Sequence, residues 1–237
     1  MRRTLPELPG RAGEIADAIM ARVLEFIGDA ALVPVIQRRV LRRYRDAGQQ
    51  ITDIADIRAL DVAVPDRLTQ GLTRRWMVAA GSVGGAIGTF GAAGLPADVL
   101  SLLGVNLMAI GDYACTHGFD IAREDERAFA VALLLADRRE QPEPGTTAAD
   151  RIAELRGRAA QIRMGGRPRE RSDTALDAWL RAGAWRLARR LLGRRLGQLV
   201  PFVGAVVGAG LDATFTRETC ELAREVYRER FLDAAGD

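Results

Sequence analysis

Two uncharged, glycine-rich runs constrain the fold of this chain more than any other feature of its sequence. The first covers residues 76–97 and the second covers residues 196–211. Both contain glycines at a spacing of four residues, in the pairs Gly81 and Gly85, Gly84 and Gly88, and Gly204 and Gly208. This spacing places small residues on one helix face, where a second backbone can approach closely. Because a glycine inside a helix costs about 1 kcal/mol relative to alanine, we expect the two runs to pack against each other.

The first run is long enough in principle for a membrane span, since about 20 apolar residues cross a bilayer. It consists mostly of alanine, glycine, serine and threonine, however, and the second run is short and contains Gln198 and Pro201. The mean hydropathy of the chain, -0.03, is also that of a water-soluble protein. We therefore do not expect a stable span, while shallow insertion of the first run stays open.

Apolar residues recur at helical spacing along almost the whole chain without a sustained strand pattern, so the sequence predicts an all-α fold. Glycine after a helix and proline in the first turn of the next helix mark the expected boundaries. The expected helices are one ending near Gly28, one from Pro34 to Gly48, a short one over 53–60, a long one from Pro65 to about Ala93, and a return helix from Pro96 to about Cys115. The last two would form a central hairpin packed against a helix over 201–215.

Capping signals predict how the helices after this hairpin begin. Gly118 is expected to end the return helix, and Asp120 is expected to cap the helix that follows. Thr147 and Asp150 have the spacing of a capping box, which predicts the start of a helix that ends near Met164.

The remaining segments complete a single helical domain over residues 1–237. An amphipathic helix is expected over 174–197, and Thr216 is expected to cap a last helix. Proline, glycine and polar residues predict loops over 141–147 and 165–173. The expected layout is N-terminal helices over 1–50, the glycine-rich hairpin and following helix over 66–139, loops and a connecting helix over 140–173, and C-terminal helices over 174–233.

The charged residues indicate a membrane surface rather than nucleic acid. All 34 basic residues are arginines, but the net charge of +3 and the absence of a recognised motif predict no nucleic-acid partner. A basic stripe lies on the helix expected over 174–197, formed by Arg186, Arg189, Arg190 and Arg194. Such a helix can lie on an anionic membrane, and the alternative is a solvated face that pairs with acidic neighbours.

The hairpin region supplies further candidate residues. Apolar side chains that could contact lipid or a protein partner are Trp76, Ile87, Phe90 and Leu95. Aspartates that could be buried near the glycine faces are Asp98, Asp112 and Asp212. A buried carboxylate requires a partner because an unpaired buried charge is very costly. Two roles are open for such an aspartate. It can form a buried ion pair with an arginine, or it can belong to a site that binds a proton, an ion or a lipid headgroup.

Catalytic motifs are scarce in the sequence. His117 is the only histidine, Cys115 and Cys220 lie far apart, and no serine lies in a GxSxG motif. We therefore predict no catalytic residue, no metal site and no cofactor. The alternative is an enzyme in which at least two aspartates converge on one cleft. The candidates are Asp98, Asp112, Asp120 and Asp212.

Two blocks of sequence resemble the EcsC protein family of bacteria. The first is GLPADVLSLLGVNLMAIGDYACTHGFD (94–120), continued by EDERAF (124–129), and the second is LVPFVGAVVGAGLDATFTRETCELAREVYRERFL (199–232). His117 stands where the family's Tyr-Gly-[Phe/Tyr]-Asp motif has tyrosine, and Asp212 stands where asparagine is frequent. The resemblance implies a helical bacterial protein in the cytoplasm or on a membrane surface, and it assigns no catalytic residue.

These features favour a non-enzymatic helical protein that interacts with lipid or lies on a membrane. No signal peptide is visible, so we expect a cytoplasmic location, with peripheral contact to the inner face of the plasma membrane. The expected partners are an anionic membrane surface, a lipid or a membrane protein. Three alternatives stay open: a soluble carrier with an apolar cavity for lipid or fatty acid, a helical partner of a membrane transporter, and the enzyme with clustered aspartates.

Overall fold

A computed structural model describes residues 8–28, 33–88, 95–136, 147–165, 182–188 and 203–236 of the chain. These residues form helices and turns, and no strand occurs among them, which confirms the predicted all-α class. The α-helices are α1 (Leu8–Gly28), α2 (Val33–Asp46), α3 (Ala63–Leu68), α4 (Leu72–Gly88), α5 (Leu95–Thr116), α6 (Glu124–Leu135), α7 (Ala148–Gly165), α8 (182–188) and α9 (Val203–Gly236). A 3₁₀ helix at Ala55–Ala59 lies between α2 and α3.

Local sequence signals located several helix ends correctly. Helix α1 ends at Gly28, while Gly48 and Gly118 follow α2 and α5 with the left-handed φ of 80° that glycine adopts without strain. The capping box before α7 is also confirmed. Asp150 Oδ2 accepts hydrogen bonds of 2.8 Å from the Thr147 N–H and hydroxyl, and the Asp150 N–H donates to Thr147 Oγ1 over 3.2 Å.

Three predicted boundaries are wrong. The long helix expected from Pro65 is divided into α3 and α4 by a turn at Gly71, where φ is 74°. Thr216 does not begin a new helix, because α9 is continuous and the Thr216 side chain is buried within it. Asp120 does not cap α6, because the N-cap residue of that helix is Arg123. Asp120 Oδ1 instead accepts a hydrogen bond of 2.8 Å from the Ala122 N–H in the preceding turn.

Other predicted features lie outside the described residues. These are the tip of the hairpin over 89–94, the loops over 141–146 and 166–173, and most of the helix expected over 174–197.

Helix α5 lies at the centre of the fold and packs against α1, α2, α4, α6 and α9. Among the described residues, its Val99–Thr116 segment is the one stretch long and apolar enough to cross a membrane, with a mean hydropathy of 1.4. Because 78% of this segment is buried inside the protein, α5 serves as a core helix. Helix α4 packs most extensively against α9 and also contacts α5.

The buried Arg127 of α6 fixes the connection between α5 and α6 (117–123). Its Nε donates to the Ile27 carbonyl over 2.8 Å, and its Nη1 donates to the carbonyls of Ile121 and Ala122 over 2.9 and 2.7 Å. A cation at the carboxyl end of α1 is also favoured by the helix dipole. Arg127 therefore ties this connection to the end of α1.

Candidate functional site

The buried carboxylate of Asp112 joins α2, α4 and α5. Arg43 Nη2 donates to Asp112 Oδ1 over 3.0 Å and to Oδ2 over 3.2 Å, while Arg39 Nη1 lies 3.8 Å from Oδ2. From α4, the Trp76 Nε1–H donates to Oδ2 over 3.3 Å, and the Arg39 guanidinium lies 5.4 Å from the Trp76 ring centroid. Two arginines and an indole N–H thus compensate the cost of burying this charge. These four residues form the Asp112 junction.

Hydroxyl groups extend the Asp112 junction on both sides. Arg43 Nη1 donates to Thr116 Oγ1 over 3.0 Å, and the Tyr44 hydroxyl donates to the Thr116 carbonyl over 2.6 Å. On the side of α4, the hydroxyls of Thr73 and Tyr113 are 2.7 Å apart. Burial raises the pKa of Tyr113 to about 12, so its hydroxyl stays protonated at neutral pH. These hydrogen bonds and ion pairs attach α2 and α4 to the core helix.

The outward side of α2 is basic. Arg38, Arg42 and Arg45 are exposed and lie at positions i, i+4 and i+7, which places them on one side of the helix. None of them forms an ion pair with an acidic side chain in the described part of the chain. Val35, one turn earlier, is 41% exposed. The outward side of α2 thus combines an exposed apolar residue with cations that have no ion-pair partner among the described residues.

Helix α4 also carries exposed arginines next to a residue of the Asp112 junction. Arg74 and Arg75 directly precede Trp76 and are exposed, without an ion-pair partner among the residues that the structure describes. One turn further, Val78 is 62% exposed. Because Arg39 and Trp76 are in contact, α2 and α4 lie next to each other here. We call the exposed arginines of these two neighbouring helices the basic face: Arg38, Arg42, Arg45, Arg74 and Arg75.

Arg230 of α9 is buried between a carboxylate and three aromatic rings. Its Nη1 and Nη2 donate to Glu126 Oε2 and Oε1 over 2.8 and 2.6 Å. The guanidinium carbon lies 4.0, 4.2 and 5.3 Å from the ring centroids of Phe119, Phe129 and Tyr227. A bidentate pair and cation–π contacts therefore bind α9 to α6 and to the α5–α6 connection.

A polar cleft of about 440 Å³ opens beside the Arg230 cluster. Its walls are the 3₁₀-helix region, the α5–α6 connection, α7 and the end of α9. The cationic side chains that line it are Arg58, Arg123, Arg156 and Arg230. The carboxylates that line it are Asp53, Asp120, Glu126 and Asp233. The cleft therefore presents both signs of charge, and it contains the Gly118-Phe119-Asp120 part of the motif singled out in the sequence.

The environment of His117 is that of a core residue. Its Nδ1 lies 2.8 Å from the Tyr113 carbonyl, which assigns the hydrogen to Nδ1, and its Nε2 is buried with no hydrogen-bond partner among the described residues. The ring packs edge-on against Phe231, with centroids 6.4 Å apart. Burial lowers the pKa of His117, so the ring is neutral at neutral pH.

Burial also raises the pKa of the Cys220 thiol to about 12, far above the pKa of a reactive cysteine.

The predicted contact residues lie in different places. Trp76 is buried, and its indole faces Asp112 rather than lipid or a partner, because the buried carboxylate uses the indole N–H. Arg186 is exposed on α8. The other predicted contacts lie outside what the structure describes: the side chains of Ile87 and Leu95, and Phe90, Arg189, Arg190 and Arg194.

The aspartates also occupy different environments. Asp112 and Asp212 are buried, Asp120 lines the cleft, and the side chain of Asp98 is not described. Asp120 Oδ1 additionally accepts a hydrogen bond of 2.7 Å from Gln37 Nε2. Within the described part of the chain, no group of three His, Cys, Asp or Glu side chains could hold a metal ion.

Sequence reasoning did not single out the basic face as a binding surface, and it missed the charged cleft. The spacing of Arg38, Arg42 and Arg45 was a usable signal for the basic face, because it predicts one helical stripe. The cleft had no comparable signal. Arg58 and Arg156 are almost 100 residues apart and meet only through the tertiary fold.

Comparison with known proteins identifies the family. The profile of the EcsC protein family matches residues 19–232, which include α2 to α8 and most of α9. The chain is similar to the uncharacterized protein YdbA of Bacillus subtilis (strain 168), with 26% identity over 182 residues, or 75% of this chain and 61% of the relative. It thus spans less than two thirds of that relative's length. No solved structure matches the chain. On the extent of the profile match, the chain belongs to the EcsC protein family.

Proposed function

We propose that this protein is a non-enzymatic peripheral membrane protein that binds the anionic surface of the cytoplasmic leaflet through the basic face. The observation that carries the proposal is the set of exposed arginines on α2 and α4 that have no acidic partner among the described residues. An arginine near an anionic bilayer contributes about 1 kcal/mol to binding.

The arginines of α2 divide into two groups with different tasks. Arg39 and Arg43 point to Asp112 and attach the helix to the core. Arg38, Arg42 and Arg45 point outward, and the anchored helix holds them on one surface. Because the helix backbone is already folded and attached to the core, binding to an anionic surface does not have to order it, which favours association.

Apolar contacts would add a smaller contribution at the membrane. Val35 and Val78 are exposed on the two helices of the basic face, and each can enter the interfacial region of a bilayer. Neither is large, so the attraction is mainly electrostatic. This predicts strong dependence on salt, since exposed charges are screened over about 8 Å at physiological ionic strength.

Co-sedimentation with lipid vesicles tests this proposal. The purified protein is expected to sediment with mixed phosphatidylglycerol and phosphatidylcholine vesicles at low salt and to remain in solution with pure phosphatidylcholine vesicles. Raising the salt concentration should release the bound protein. Equal binding to both kinds of vesicle, or no binding to anionic vesicles at low salt, would contradict the proposal. A stoichiometric lipid that co-purifies with protein lacking vesicle affinity would indicate a soluble carrier instead.

A further inference from the structure

The polar cleft has the size of a small-molecule site, since such sites have volumes of about 300–1,000 Å³. We infer that it binds a small zwitterion, a molecule with an ammonium group and a carboxylate or phosphate group. The inference does not depend on membrane binding, because its residues are not those of the basic face.

Two of the four arginines in the cleft are available to an anionic group. Arg230 is occupied by Glu126, and Arg123 Nη2 lies 2.9 Å from Asp125 Oδ2. Arg58 of the 3₁₀ helix and Arg156 of α7 form no ion pair within the described part of the chain. Guanidinium groups on two walls of a cleft can each donate hydrogen bonds to one carboxylate or phosphate.

The fold sets the position of the Arg58 side chain before any ligand binds. The Arg58 side chain crosses the backbone of Gly118, where a Cβ would lie 2.5 Å from Arg58 Cγ and 3.1 Å from the Arg58 nitrogen. Its guanidinium carbon lies 5.9 Å from the centroid of the Phe119 ring. Glycine at position 118 therefore lets Arg58 lie against the α5–α6 connection, and Phe119 supports its charged end. Such preorganisation reduces the entropy lost on binding.

The carboxylates of the cleft select against a ligand that is only anionic. Asp53 and Asp120 each accept a backbone N–H, from Ala55 and Ala122, and both line the cleft wall. Asp233 at the end of α9 forms no ion pair with the described residues. A polyanion would be repelled by these groups, whereas an ammonium group is attracted to them. The charges of the cleft thus match a molecule that carries one group of each sign.

Titration followed by NMR tests the inference with four probes. Phosphoethanolamine and β-alanine carry both charges, glycerol 3-phosphate carries only the anion, and ethanolamine carries only the cation. We expect saturable shifts of the Gly118 and Phe119 amide signals with at least one of the zwitterions, and affinity at least about tenfold lower for both single-charge probes. A preference for β-alanine indicates an amino acid. A preference for phosphoethanolamine indicates a phosphorylated amine, and competition with phosphatidylethanolamine vesicles then shows its source. If the vesicles displace phosphoethanolamine, the ligand is a lipid headgroup, and if they do not, it is a free phosphorylated amine.

Substitutions locate the binding in the cleft. Arg58→Gln with Arg156→Gln should weaken zwitterion binding about tenfold or more. Asp233→Asn should also weaken zwitterion binding, but it should not weaken binding of glycerol 3-phosphate, because it removes a repulsive charge. The control variant, Arg151→Gln with Arg217→Gln, removes the same charge elsewhere and should bind as the wild type does. The inference is overturned if no probe binds, if either single-charge probe binds as tightly as the better of the two zwitterions, or if a folded R58Q/R156Q protein keeps wild-type affinity. Thermal unfolding of each variant shows whether it is folded.

Discussion

Replacing Asp112 with alanine is expected to lower the free energy of unfolding by about 3–5 kcal/mol, which is the usual effect of removing one partner of a buried ion pair. The substitution removes the acceptor for Arg43 and for the Trp76 indole N–H in one step. It also leaves Arg39 and Arg43 without the carboxylate that compensates for their partial burial. Chemical denaturation of the wild type and of D112A measures this loss.

Two further variants test whether the loss of stability in D112A comes from the Asp112 junction. Asp46→Ala changes an exposed aspartate at the end of α2, and we expect less than about 0.5 kcal/mol from it. Asp112→Asn keeps an acceptor for the indole while removing the charge, so its loss should lie between those of D46A and D112A. If D112A were as stable as D46A, the Asp112 junction would not be what attaches α2 and α4 to α5.

Replacing Arg230 with methionine is expected to destabilise the protein by a similar amount, about 3–5 kcal/mol, or on the order of 10 °C in Tm for a chain of this length. The substitution keeps an apolar body between Phe119 and Phe129 but leaves the buried Glu126 without its bidentate partner. Arg230→Lys retains the charge and loses the two-pronged geometry, so its loss should be smaller.

A double variant separates charge from packing at Arg230. Adding Glu126→Gln to R230M removes the uncompensated carboxylate, and we expect it to restore part of the lost stability. The comparison is made by thermal unfolding of R230M and E126Q/R230M under the same conditions. If the double variant were no more stable than R230M, the loss would come from packing around the aromatic rings and not from the buried charge.

Local signals in the sequence were sufficient for the fold class and for many helix ends. A capping box such as Thr147 with Asp150, or a glycine such as Gly118 after a helix, is decided by residues a few positions apart. Thr216 was misread for the same reason, because a residue that favours helix starts can equally occupy the interior of a helix. In α9 it is buried, and its Oγ1 accepts a hydrogen bond of 3.2 Å from Asn106. A contact between residues so distant in sequence has no local signature.

The candidate sites were only partly predictable for a related reason. The sequence indicated that Asp112 needs a partner if it is buried, but the partners come from two other helices, at positions 39, 43 and 76. Trp76 was a candidate for contact with lipid or a partner, whereas its indole N–H also suits it to a buried polar contact, and it donates to Asp112. In contrast, the stripe of Arg38, Arg42 and Arg45 follows from helical periodicity alone.

The proposed membrane contact rests on the exposed arginines of α2 and α4 and not on the glycine-rich runs. The most direct test compares vesicle binding of R38Q/R42Q/R45Q with that of R22Q/R151Q/R217Q. Both variants lose the same charge, but the arginines of the second each pair with a glutamate, namely Glu25, Glu225 and Glu221. At about 1 kcal/mol for each arginine, the first variant should lose roughly 100-fold in partitioning to phosphatidylglycerol vesicles, and the second should bind nearly as the wild type does. Equal losses in the two folded variants, or no loss in the first, would contradict binding through the basic face.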